Sequence, residues 1–150
     1  MKYAIFTFII VLFVSCNAGQ IKADLRAENE KEIIKYIEDN GLIAGKSDTG
    51  LHFVIREPGT GIRPRRSDKV TVAYKGYFTN GAVFDKSDAN GISFDLQEVI
   101  KGWREGIRYL KEGGSGTLLI PAHLGYGRRS VGPIPAGSVL LFDITLISVN

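Results

Sequence analysis

Between Gly50 and Asn150 the apolar residues repeat with the period of a strand in several short blocks, and with the period of a helix in one. That single switch constrains the fold more than any other feature. Val99, Ile100, Trp103, Ile107 and Leu110 recur at three and four residues, so the spacing predicts a helix over about Gln97–Glu112, stopped by Gly113-Gly114. Leu51–Glu57 reads as a strand ended by the turn cluster Pro58-Gly59-Thr60-Gly61. Val70, Val72 and Tyr74 alternate with Thr71, Ala73 and Lys75, the pattern of a half-buried strand. Thr79-Asn80-Gly81 is a hairpin signal, because Asn-Gly accepts positive φ at both turn positions, and Val83-Phe84 begins the return strand. Asp88–Gly91 reads as a loop. Thr117–Ile120 is a strand stopped by Pro121, and a Gly/Pro-rich loop runs from Gly125 to Gly137. Leu140, Phe142, Ile144 and Leu146 alternate through a last strand. The expectation is an α+β domain of about five antiparallel strands around one α-helix. Hydrophobic residues at 44% can fill its core and exclude wholesale disorder, and 18 glycines suit a turn-rich β body better than a helical bundle.

The N-terminal third is organised differently. Tyr3–Val14 is uncharged and apolar, too short for the ~20 residues of a spanning helix. After Lys2 and before Ser15 it reads as a secretory signal over residues 1–15. Cys16, the single cysteine, follows at once, and Phe13-Val14-Ser15-Cys16 resembles the lipobox of bacterial lipoproteins. That resemblance implies cleavage before Cys16, lipid on its thiol, and a membrane-anchored protein facing the periplasm; an ordinary signal peptide with a chance Cys beside it is the alternative. Residues 16–49 then form a connecting segment. Asn17–Ala23 is small and polar, suited to a tether, and a partly amphipathic helix is expected over about Asp24–Asn40, with Leu25, Ile33, Ile34 and Ile37 as its stripe. Asn40-Gly41 supplies the stop. The simplest role for this helix is packing on its own domain. A dimer contact and a spacer from the membrane are the alternatives.

Most familiar chemistry is excluded. One Cys rules out an internal disulfide framework and a cysteine zinc cluster, and two His leave little for a histidine metal site. His52 and His123 read as structural or solvent-facing. Gly113-Gly114-Ser115-Gly116 follows a helix and precedes a strand, the reverse of a nucleotide-binding loop, and lacks the Lys-Ser/Thr ending. No Gly-x-Ser-x-Gly elbow occurs, and Cys16 has no thiol-catalysis setting. Arg63, Arg65, Arg66, Lys69, Arg128 and Arg129 lack interleaved aromatics, and the net charge is only +3, so nucleic acid is not an expected partner. Solubility or contact with acidic lipid headgroups explains them more simply. No metal or organic cofactor is suggested.

What remains is a series of aromatics with polar neighbours: Tyr74-x-Gly76-x-Phe78, Phe84-Asp85-x-Ser87, Phe94-x-Leu96, Val99-Ile100-x-Gly102-Trp103-x-Glu105-Gly106, Ile120-Pro121-x-x-Leu124-Gly125-Tyr126-Gly127, Ile134-Pro135 and Leu140-x-Phe142-Asp143. In this order, over residues 50–150, the chain resembles the FK506-binding-protein (FKBP) type of peptidyl-prolyl cis-trans isomerase. The resemblance implies a curved antiparallel sheet wrapped around the helix. It implies a pocket with Phe84, Asp85, Trp103 and Tyr126 as catalytic residues, Trp103 being its floor. Tyr74, Phe94, Val99, Ile100, Ile134 and Phe142 would bind substrate, and the Ile100 N–H would be a further polar contact. The family often reads Ile-Pro-Pro-Asn where this chain has Ile134-Pro135-Ala136-Gly137. Pro133 replaces a common Ile, and the loop after Tyr126 is about one residue short. These differences bear on substrate preference.

The implied activity is cis–trans isomerisation of X–Pro bonds, helping exported proteins fold. Proline-containing polypeptides would be the partners, and FK506- or rapamycin-like macrolides possible ligands. A binding module that clasps proline-bearing chains with little turnover, as chaperone or scaffold, is the alternative. A structural partner in an envelope assembly, using the N-terminal helix, is a third reading.

Overall fold

The computed structural model describes the backbone of residues 4–150 and the side chains from residue 18 onward. The signal at 1–15 and the lipid site at Cys16 fall on side chains outside the described residues. Helix α1 runs unbroken over Ala4–Asp39, longer than the expected Asp24–Asn40. It includes Asn17–Ala23, which reads as a tether on polarity alone. Ala18, Gln20, Lys22 and Ala23 are good helix formers, and a single glycine does not break the run. Among the described residues no helix is long and apolar enough to cross a membrane.

The end of α1 is set by Gly41, whose φ of 60° lies in the left-handed region. Its N–H donates to the Glu38 carbonyl and the Leu42 N–H to the Ile37 carbonyl, the paired bonds of a Schellman stop. The helix packs on its own domain. Ile33 is fully buried with Leu119, Val139 and Leu141, and Tyr36 and Ile37 pack beside it. The buried stripe differs from the expected one: Ile34 is exposed, while Asn29 is buried.

Seven antiparallel strands follow. They are β1 (Gly45–Lys46), β2 (His52–Glu57), β3 (Lys69–Tyr77), β4 (Val83–Lys86), β5 (Ile92–Asp95), β6 (Ser115–Ile120) and β7 (Leu140–Val149). Their order is β1-β2-β6-β7-β3-β4, with β5 also paired to β3. The five expected strands are present. β1 and β5 are additional, and at two and four residues they are too short for a periodicity to be read. The period of two divides the central strands between two cores. Leu118, Ile120, Leu140, Phe142 and Ile144 face the main core, and Leu119 and Leu141 face α1. The Asn80-Gly81 turn forms differently from expectation. Only Gly81 takes positive φ, at 88°, and the Asn80 side chain instead accepts from the Ala82 N–H at 2.9 Å.

The helix of the body, α2, spans only Lys101–Gly106 and continues as one 3₁₀ turn over Ile107–Tyr109. The expected Gln97–Glu112 is therefore too long. Ile100 is extended (φ −57°, ψ 152°), and so is Leu110, which closes the segment. The apolar repeat runs on through the pocket wall before the helix and the tight turn after it, so periodicity alone overstates the helix. Gly102 and Gly106 set how closely α2 approaches the sheet. A Cβ at Gly102 would lie 2.6 Å from Ile120 Cγ2, and one at Gly106 would lie 2.5 Å from a Leu118 methyl. No other residue type fits this contact without moving the helix outward.

Candidate active site

On the α2 side of the sheet the fold leaves a cavity of about 450 Å³. All ten side chains expected at the site line it: Tyr74 from β3, Phe84 and Asp85 from β4, Phe94 from β5, Val99 and Ile100 before α2, Trp103 in α2, Tyr126 and Ile134 from the long loop, and Phe142 from β7. Glu98, Val131, Gly132 and Pro133 complete the lining. Sequence reasoning did not reach Glu98 or Val131, because an exposed charge beside an apolar pair, or a loop valine, carries no periodic signal. Pro133 was visible only as a difference at the rim.

Trp103 is the floor. It is 5% exposed, and its ring lies edge-on to Tyr74 at 5.1 Å and to Phe94 and Phe142 at 5.2 Å. Edge-to-face contact places a positive ring edge on a negative face, so the four rings hold one another in orientation. Phe84 stands edge-on to Phe142 at 5.5 Å. Gly76 makes room for that pair, since a Cβ there would meet both rings at 2.7–2.8 Å. The pairing of Gly76 with both Asp85 and Phe142 in the sheet fixes the two walls relative to each other.

Polar groups are few. The Tyr74 hydroxyl donates to Asp85 Oδ2 at 2.7 Å. Burial, and then this bond to the carboxylate, push the Tyr74 phenol up to about 12, so it stays a donor at neutral pH. Tyr126 is 38% exposed at the mouth. The Trp103 Nε1–H and the Ile100 backbone N–H have no hydrogen-bond partner among the described residues. Among those residues no group of three or more His, Cys, Asp or Glu is placed to hold a metal ion.

The loop that carries Tyr126 and Ile134 is fastened from outside the body. Asn29 of α1 accepts from the Ala122 N–H at 2.8 Å and donates to the Gly137 carbonyl at 3.1 Å. The Gly137 N–H donates to the Gly127 carbonyl at 2.8 Å, closing the loop on itself. Asn29 is 3% exposed, and both ends of its amide are satisfied. The two histidines are structural: His52 is buried under α1, and His123 Nε2 bonds the Thr49 carbonyl at 2.7 Å.

The FKBP-type peptidyl-prolyl cis-trans isomerase family model matches residues 61–147. A probable FKBP-type isomerase, FkpA of Neisseria meningitidis serogroup B, is 40% identical over 134 residues, which is 86% of this chain and 49% of that protein. The crystal structure of FkpA from Escherichia coli superposes with a TM-score of 0.76 at 33% identity, covering all of this chain and 73% of that one. The crystal structure of AtFKBP13 gives 0.67 at 35% identity, covering 72% of this chain and 99% of that one. The chain spans about half the length of the curated relatives it matches. With the family model covering more than half of its residues, and the pocket in place between α2 and the sheet, this chain belongs to the FKBP-type peptidyl-prolyl cis-trans isomerases.

Proposed function

We propose that the protein isomerises X–Pro bonds in polypeptides and assists the folding of exported proteins at a bacterial cell envelope. One observation carries this reading. The cavity joins an indole floor, aromatic walls and a few hydrogen-bond donors, with no Ser, Thr, Cys, Lys or His in its lining. Its ionisable carboxylates are Asp85, whose Oδ2 accepts the Tyr74 hydroxyl, and Glu98, and the composition suits a reaction that makes and breaks no bond. Rotation about a peptide bond costs about 18–20 kcal/mol because it breaks amide resonance. The planar amide carries more charge separation than the twisted one. A dry aromatic cavity therefore disfavours the planar form more, and it holds the proline ring while the preceding residue turns. In this reading the Ile100 N–H and the Tyr126 hydroxyl, both from residues that line the cavity, donate to the substrate carbonyls. The same cavity is the seat for FK506- or rapamycin-like macrolides.

The test is a cis–trans exchange assay on short X–Pro peptides with the full chain, beside Asp85→Ala and Tyr126→Phe and with a macrolide as competitor. Acceleration that falls in both variants is the expected result. A folded wild type that accelerates no peptide would leave a proline-clasping module instead. In this reading Cys16 carries the acyl chains that hold the protein on its membrane, facing the periplasm, with more than one chain giving stable attachment. Its place directly after the apolar run supports this. Cys16→Ser is expected to release the protein into the soluble fraction, and unchanged membrane retention would count against lipid attachment.

A further inference from the structure

A second cavity, of about 640 Å³, opens between α1 and the long loop. Val99, Ile100 and Tyr126 line both cavities, so the second continues the first. Its remaining character is basic. Lys22 and Arg26 come from α1, Lys101 from the start of α2, and Arg128 and Arg129 from the loop. Five cations thus meet in one groove of a chain whose net charge is only +3. Among the described residues none of the five forms an ion pair within 4.0 Å. Asp24 and Glu28 stand near Arg128 in the adjoining hollow, and Glu98 lines the first cavity. No acid lines the groove itself.

Unpaired cations gathered in a concavity repel one another and attract an anionic occupant. The continuity of the two cavities says where that occupant comes from. An extended chain advances about 3.3–3.6 Å per residue, so an acid two to four residues from a bound proline lies within ~7–14 Å of it. We propose that the groove receives the acidic flank of the polypeptide whose X–Pro bond occupies the first cavity, making the protein selective for prolines with Asp or Glu nearby. This rests on the isomerase reading above and adds the class of its substrates.

The experiment measures exchange by the full chain on three X–Pro peptide sets, flanked on either side by Ala, by Glu or by Lys. The Glu set is expected to have kcat/KM about five- to twentyfold above the Ala set, chiefly through KM, as two or three exposed ion pairs provide. The preference is expected to collapse in ~0.5 M salt. In the double variant Lys22→Glu, Arg26→Glu the Glu preference is expected to vanish or pass to the Lys set, with the Ala set unchanged. Neither side chain lines the first cavity. Equal turnover of the three sets by an active wild type overturns the proposal, as does a double variant that slows all sets alike. Co-sedimentation with phosphatidylglycerol vesicles, lost in the double variant and unaccompanied by any peptide preference, assigns the groove to a membrane surface and also overturns it. No turnover of any set, the Ala set included, would instead sink the isomerase reading itself.

Discussion

Asp85 faces the cavity through a partner, because its Oδ2 accepts the Tyr74 hydroxyl at 2.7 Å. Tyr74 is itself held by three rings: Trp103 at 5.1 Å, Phe94 at 6.0 Å and Phe142 at 6.3 Å. The carboxylate is thus aimed by a phenol whose orientation is fixed by packing. Tyr74→Phe separates these roles, since the ring contacts survive and the hydroxyl goes. A hydrogen bond to a charged group is worth about 1.5–3 kcal/mol, and the solvent exposure of Asp85 brings this one down to about 0.5–1.5 kcal/mol. The expected result is a kcat/KM lowered about three- to tenfold, with peptide affinity nearly unchanged and a Tm within a few degrees of wild type. An unaltered kcat/KM would show that the orientation of Asp85 is immaterial. Every side chain in this set was legible from sequence as a member of an aromatic series. Its place in the cavity came from the family pattern, because taken singly each ring reads more readily as core.

At the scale of elements, legibility followed length or an adjoining turn signal, since the four-residue β4 was read from the Asn80-Gly81 turn before it. The long alternation from Leu140 to Ile147 found β7, whereas Ile92–Asp95 gave no readable pattern, although β5 is what seats Phe94 opposite Val70. The helical repeat around Trp103 was real, but two extended residues, Ile100 and Leu110, bracket a much shorter helix. Least legible was the role of α1. Its apolar stripe announced docking, and nothing announced that Asn29, a polar residue on the buried face, ties Ala122 to Gly137 across the base of the Tyr126 loop. Such a clasp depends on residues about a hundred positions away and leaves no periodic trace. Asn29→Ala strands one buried N–H and one carbonyl, at about 1–3 kcal/mol each. It is expected to lower kcat/KM even where the protein stays fully folded. Ile33→Ala is the control. It removes about 2–5 kcal/mol of packing from the same helix without touching the loop, so it is expected to lower stability with little change in kcat/KM under native conditions. Parallel losses of activity in both would mean that α1 acts only by stabilising the body.

For the molecule as a whole, α1 and the sheet meet over a histidine. His52 is 5% exposed, on the same face of β2 as Val54, with the Glu30 carboxylate of α1 at 3.6 Å and Lys46 of β1 also near. Burial lowers its pKa below 6.5. Glu30 opposes that shift without reversing it, and Lys46 adds to it. A base with a lowered folded pKa binds its proton more readily when unfolded, so stability is full above about 6.5 and is lost as pH falls through the folded value. A second group on the sheet titrates elsewhere. Burial pushes the Asp143 carboxyl up, but bonds from Thr117, Arg56 and Tyr77 outweigh it and hold the group below 3.8. Its contribution is present above 3.8 and disappears only in stronger acid. The two losses therefore begin at different pH, the first below about 6.5 and the second below 3.8. Denaturant unfolding followed across pH is expected to show wild-type stability declining as pH falls below about 6.5, a decline absent from His52→Gln. Both proteins are then expected to weaken together below about pH 4, a second loss that Asp143→Asn removes in part. Should His52→Gln decline as steeply as wild type in the first window, the histidine is not what makes the docking of α1 sensitive to acid, and another group at that interface carries the proton.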